Sequence, residues 1–95
     1  MDGNDRAVKN LSRRGAEFVG FFYKVLTHIE TYTVPQYGDE PHDQVEAWSA
    51  EDCVKAIAKY CARFGSNARG EKEQQRDLLK IAHYAGLAYK KMEKK

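Results

Sequence analysis

One apolar stripe constrains this chain more than any other feature. From Val8 to Ile29 the residues Val8, Leu11, Gly15, Phe18, Phe22, Val25 and Ile29 recur at steps of three and four, the period of one face of an α-helix. Arg13, Glu17, Lys24 and Thr27 fall on the other side. The spacing predicts a first helix from Asp5 to Glu30, roughly 37 Å long at the standard rise. Gly15 and Gly20 each weaken it by about 1 kcal/mol relative to Ala. Gly15 lies on the stripe itself, where a neighbouring helix can approach closely.

Two shorter helices follow from local signals. Ser49-Ala50-Glu51-Asp52 offers a capping hydroxyl and two carboxylates for a first turn, both favourable at a helix N-terminus. Val54, Ile57, Cys61 and Phe64 then repeat the three-four spacing, with Lys55, Lys59 and Arg63 expected in water, and Gly65 suits a left-handed C-cap. A third helix is expected from Gly70-Glu71 to the last lysines. Its apolar face is read as Leu78, Ile81, Ala82, Ala85, Ala88, Tyr89 and Met92, and its outer face as Arg76, Lys80, Leu87, Lys90 and Lys91. Glu71 and Glu73 open it and lysines close it, as the macrodipole prefers.

None of these helices hides its stripe alone, so an all-α, antiparallel three-helix bundle is the expected fold, with Phe22, Ile57 and Ile81 in its core. The first helix is longer than its companions. Its excess apolar surface, including Phe21 and Tyr23 beside the stripe, is expected to be covered by a second copy, making a homodimer. Between Tyr32 and Trp48 the stripes stop. Val34-Pro35 and Glu40-Pro41 favour extended backbone before each proline, and Tyr37-Gly38-Asp39 reads as a turn. Pro41 to Trp48 is the candidate for a fourth, short helix with Pro41 at its first position. A connection this long is either functional or pinned by its own side chains; Tyr32, Tyr37 and Trp48 are the expected pins.

Length and composition agree with a single domain over residues 1–95. Apolar residues make up 42% and charged residues 32% of the chain, which suits a globular protein with a solvated surface. The longest apolar stretch, Phe18 to Tyr23, falls far short of the roughly 20 residues of a membrane span. Met1-Asp2-Gly3-Asn4-Asp5 lacks the basic start and apolar block of a secretory signal, so the expected setting is cytoplasmic. Cys53 and Cys61 lie about 12 Å apart on one helix, too far for a disulfide, and are read as buried structural thiols. Net charge is +2, with the excess of Lys and Arg concentrated after residue 48; an anionic partner is compatible with that, but a dedicated nucleic-acid binder is more basic.

Two clusters could carry chemistry. The first is Arg63-Phe64-Gly65-Ser66-Asn67-Ala68-Arg69-Gly70, with Arg76 following in the next helix and Lys59 and Lys80 nearby. Glycine-rich backbone before a helix N-terminus and forked guanidinium groups suit a phosphate. The same residues serve an ordinary helix-to-helix turn whose arginines reach back to Glu71, Glu73 or Asp77. The second cluster is Asp39-Glu40-Pro41-His42-Asp43, which supplies oxygen and nitrogen donors but no recognisable metal-loop spacing. No metal or other cofactor is expected. There is no Gly-x-x-x-x-Gly-Lys-Ser/Thr phosphate loop and no Gly-x-Ser-x-Gly turn, and no catalytic residue is assigned.

The blocks Asp52-Cys53-Val54-Lys55-Ala56-Ile57-Ala58-Lys59-Tyr60, Arg63-Phe64-Gly65 and Arg76-Asp77-Leu78-Leu79-Lys80-Ile81-Ala82-His83-Tyr84 resemble small helical proteins of unknown function encoded by phages and prophages. The resemblance spans Val45 to Tyr89 and leaves the first helix outside it. It implies a bacterial or phage cytoplasmic setting and a link to nucleic-acid or nucleotide metabolism. Some members of that group carry nucleotide-kinase labels, which a chain without a phosphate loop does not support.

The leading expectation is therefore a non-enzymatic interaction or assembly module that binds itself or another protein, with no membrane partner. A second reading is a phosphate-binding module for nucleic acid or nucleotide that uses Arg63, Arg69 and Arg76 with Lys59 and Lys80. A third is a metal-dependent hydrolase using His42 and Asp43, with His83 as a further ligand.

Overall fold

A computed structural model describes residues 10–39, 45–66 and 69–93, and it is all-helical, with no strand among the described residues. Three long helices pack against one another: α1, Arg13–His28; α3, Ala50–Phe64; and α4, Glu71–Glu93. A one-turn helix α2, Val34–Tyr37, and a 3₁₀ turn, Val45–Ala47, lie between α1 and α3. The expected helix at 41–48 is represented by that turn alone among the described residues; of the acidic cluster Asp39 to Asp43, all but Asp39 lies outside them.

α1 starts later than the stripe predicts. Residues 5–9 lie outside the described set, and Asn10 to Ser12 are not helical. Ser12 holds extended backbone and its hydroxyl accepts the Gly15 N–H at 3.1 Å, so a local side-chain cap fixes the start at Arg13. At its other end the coil passes through a π-helical segment, Ile29–Thr33, into α2. The expectation of extended backbone before Pro35 is overturned here, because Val34 is helical at φ −63°, ψ −46°. The Val34 N–H reaches back five residues to the Ile29 carbonyl. That wider turn shifts the carbonyl ladder on which a proline ring normally presses, and Pro35 has no N–H to leave unpaired. Gly38 ends α2 at φ 86°, with its N–H on the Val34 carbonyl at 2.7 Å.

α3 and α4 form an antiparallel hairpin. Residue partners descend along one helix as they ascend the other, from Arg63 with Asp77 to Tyr60 with Tyr84. The start of α3 is as expected. Ser49 and Asp52 make a reciprocal capping box, Asp52 N–H to Ser49 Oγ at 3.1 Å and Ser49 N–H to Asp52 Oδ2 at 2.9 Å. Its end is not: Gly65 is right-handed at φ −74°. The Gln74 side-chain amide donates to the Phe64 carbonyl at 2.7 Å, so a side chain from α4 does part of what a left-handed glycine does elsewhere. Gly70, at φ 101°, is the residue that turns the chain into α4.

The faces of both hairpin helices are rotated from the expected ones. In α3 Cys53 is buried and Ile57, Tyr60 and Arg63 are half-buried, whereas Val54 is 54% exposed and Cys61 lies at the surface. In α4 the inward positions are Asp77, Lys80, Ile81, Tyr84, Leu87 and Ala88, while Leu78, Tyr89 and Met92 are exposed. Lys80, Leu87 and Arg63, expected in water, therefore help to line the interface. The cause is chemical: Arg63 and Asp77 neutralise each other, so two positions that count as polar in a hydropathy pattern occupy the seam. Trp48 stacks on Tyr84 (centroids 5.8 Å apart) and Tyr84 on Tyr60 (6.0 Å), and Lys91 Nζ donates to the Glu46 carbonyl at 3.3 Å. Trp48 thus pins the end of the long connection, as expected. Tyr37 is exposed.

Candidate functional site

The basic residues singled out in the sequence separate into two groups. Lys59, Arg63 and Lys80 gather around the Tyr60 ring, with their charged ends 5.8, 4.9 and 5.3 Å from its centroid. Arg63 makes a bidentate pair with Asp77, whose side chain is 0% exposed. Those hydrogen bonds, first among the causes, hold the Asp77 carboxyl below its ordinary value against the opposing effect of burial. Lys80 Nζ stands 4.0 Å from the same carboxylate, and burial lowers its pKa. Arg69 is exposed near the start of α4 and its charge is felt at Asp77. Arg76 points elsewhere: it pairs with Glu73 at 2.8 Å and lies 4.8 Å over the Tyr32 ring. Arg63 thus reaches a carboxylate of the following helix, as in an ordinary helix-to-helix turn, whereas Arg76 pairs within α4.

Histidines and thiols are set in ordinary protein surroundings. His28 is buried and stacks on Tyr32, centroids 5.4 Å apart. Burial, followed by the charges of Lys80 and Arg76, lowers its pKa, and burial alone lowers that of His83. Tyr84 is pushed up to about 12, chiefly by burial. Cys53 is a buried thiol raised by the same cause, whereas exposed Cys61 corrects the expectation of two buried thiols. No three potential metal ligands come together among the described residues; His42 and Asp43 lie outside them. No described helix is long and apolar enough to cross a membrane.

What sequence patterning misplaced is the stripe of α1. Among its described members only Val25 is buried, while Phe18 is 63% and Phe22 50% exposed. α1 turns Phe21, Val25 and His28 toward the rest of the protein, a sector displaced from the stripe by part of a turn. The aromatic and imidazole anchors His28 and Tyr32, together with Arg76 of α4, set that rotation. Phe18, Val19, Phe22 and Leu26 remain as a contiguous exposed face, because their spacing of one, three and four residues keeps them on one side of the coil. Tyr23 borders it, in edge contact with Phe22 at 5.9 Å. Exposed Phe18 and Phe22 each retain about 1 kcal/mol to be gained from coverage. The bundle has little apolar burial to set against this: Val25, Cys53 and Ala88 are the buried hydrophobic residues among those described.

No family model matches the chain, and no curated protein or solved structure matches it either.

Proposed function

We propose that this chain is a non-enzymatic helical interaction module that docks through the exposed face of α1, with a second copy of itself as first partner. One observation carries the reading: Phe18, Val19, Phe22 and Leu26 form an unbroken, exposed apolar face on one side of α1. Contiguous apolar surface rimmed by polar residues marks association sites, and exposed Arg14, four residues before Phe18, and Glu30, four after Leu26, border it here. In this reading the three helices complete their antiparallel bundle by pairing α1 with α1. Short steps of three and four along both helices allow ridges to pack into grooves. A cytoplasmic setting and a phage or prophage origin belong to the same proposal and rest on the sequence blocks of α3 and α4.

Sedimentation equilibrium between 5 and 500 µM tests it, with wild type run beside Phe22→Glu. The expected result is a monomer–dimer equilibrium in wild type and a monomer in the variant, with equal helicity by circular dichroism. Monomers in both samples at every concentration, or dimers in both, overturn the reading.

A further inference from the structure

α1 and α4 leave a cleft of about 630 Å³ between them, a volume in the range of small-molecule sites. It adjoins the apolar face of α1 at Tyr23 and shares no residue with the cluster around Tyr60. Tyr23, Tyr32 and Leu79 supply apolar wall, and Lys24, Lys72 and Arg76 supply charge. Each helix contributes positions three or four apart, which is why the residues share the cleft. Every formally charged residue lining it is a cation; no carboxylate is among the described residues that line it.

We infer that this cleft binds a small amphipathic organic anion, its anionic head held by Lys24, Lys72 and Arg76 and its apolar body resting on Tyr23 and Leu79. Arg76 is preorganised for the task. Its guanidinium lies 4.8 Å over the Tyr32 ring, which is itself stacked on His28, and Glu73 accepts one hydrogen bond from Nη1. A guanidinium carries five N–H donors in a planar fork that suits carboxylate or phosphate oxygens. His28, with its pKa lowered, adds an uncharged wall at neutral pH. Gly20 is the opening on the α1 side: a Cβ built there meets no atom within 4 Å. A larger side chain at that position enters the space a ligand body needs without altering any charge.

The test is a titration of isotope-labelled protein with phenyl phosphate, inorganic phosphate and benzyl alcohol, followed by NMR. Phenyl phosphate is expected to bind at least about tenfold more tightly than either fragment, since head and body are recognised together. The shifts should centre on Gly20, Tyr23, Lys72 and Gln75. Lys24→Ala and Lys72→Ala should each weaken binding by about threefold to tenfold, the size of a partly exposed charge contact. Gly20→Leu should abolish it while keeping all charges, and Gly20→Ala, a milder change that favours helix, should keep the fold should the leucine variant fail. The inference is overturned if no binding is seen at millimolar phenyl phosphate, if inorganic phosphate binds equally well, if shifts centre on Tyr60 and Arg63, or if folded Gly20 and Lys72 variants bind as wild type does.

Discussion

Arg63 of α3 grips Asp77 of α4 through two hydrogen bonds, Nε to Oδ2 at 2.9 Å and Nη2 to Oδ1 at 2.7 Å. The two partners are unequal, because the Asp77 side chain is 0% exposed and that of Arg63 34%. Removing either one consequently has a different cost. Arg63→Met removes both of these hydrogen bonds from a buried carboxylate that keeps Lys80 at 4.0 Å and feels the charge of Arg69, and should destabilise by about 3 kcal/mol. Asp77→Leu lets the arginine turn to water and should cost about 1 kcal/mol. Urea unfolding of the two variants checks the order; equal losses contradict it.

At the start of α3 the capping box predicts a smaller, purely local effect. Ser49→Ala deletes the acceptor for the Asp52 N–H and should cost about 1 kcal/mol. Ser49→Asp restores an acceptor and should recover most of the loss. A thermal melt in which alanine and aspartate variants coincide argues against the cap.

Glycine positions predict opposite signs. Gly20 lies inside α1 with open space around it, so Gly20→Ala should stabilise by about 1 kcal/mol. Gly70 holds φ 101° at the entry to α4, and Gly70→Ala should destabilise by about 1 kcal/mol. Urea midpoints moving in the same direction for both variants contradict the assigned backbone.

Stability should also fall with acid in two stages. His28 and His83 have lowered pKa values in the folded protein, so below the ordinary value of 6.5 the unfolded chain takes up protons first and gains relative stability. Asp77, also lowered, favours the folded state above the ordinary carboxyl value of 3.8, and this contribution is lost as pH drops below it. Urea midpoints should therefore be level above about pH 7, decline between pH 6.5 and 5, and decline again below pH 4. His83→Gln should flatten the first stage in part. A constant midpoint from pH 7.5 to 5 contradicts the burial of the two imidazoles.

Helix existence was legible in the sequence, and so were the helix starts that local chemistry sets: Ser49 before α3 and Gly70-Glu71 before α4. These N-caps depend on neighbours within four residues, which a sequence displays directly; the equally local cap at Ser12 was hidden by the apolar stripe that runs past it to Val8, and the α3 end by Gln74, ten residues away. Helix faces were less legible. A hydropathy pattern counts Arg63, Asp77 and Lys80 as solvent-seeking, yet mutual neutralisation brings them into the α3–α4 seam and turns Val54, Cys61 and Leu78 outward. Pro35 was read as a break, because the adjacent π-helical turn that absorbs it has no short-range signature. The basic cleft was missed for a related reason. Lys24 and Thr27 were correctly placed away from the apolar stripe, but nothing local indicates that this side faces Lys72 and Arg76 across α4.

The coverage of Phe18, Val19, Phe22 and Leu26 by a second chain is tested most directly by the access of a soluble paramagnet to the methyl groups of Val19 and Leu26. Relaxation enhancement should be strong at 10 µM protein and markedly reduced at 500 µM, while that of exposed Val54 on α3 stays constant. Equal enhancement of Val19 and Leu26 at both concentrations would show the face still open to water and contradict self-association through α1.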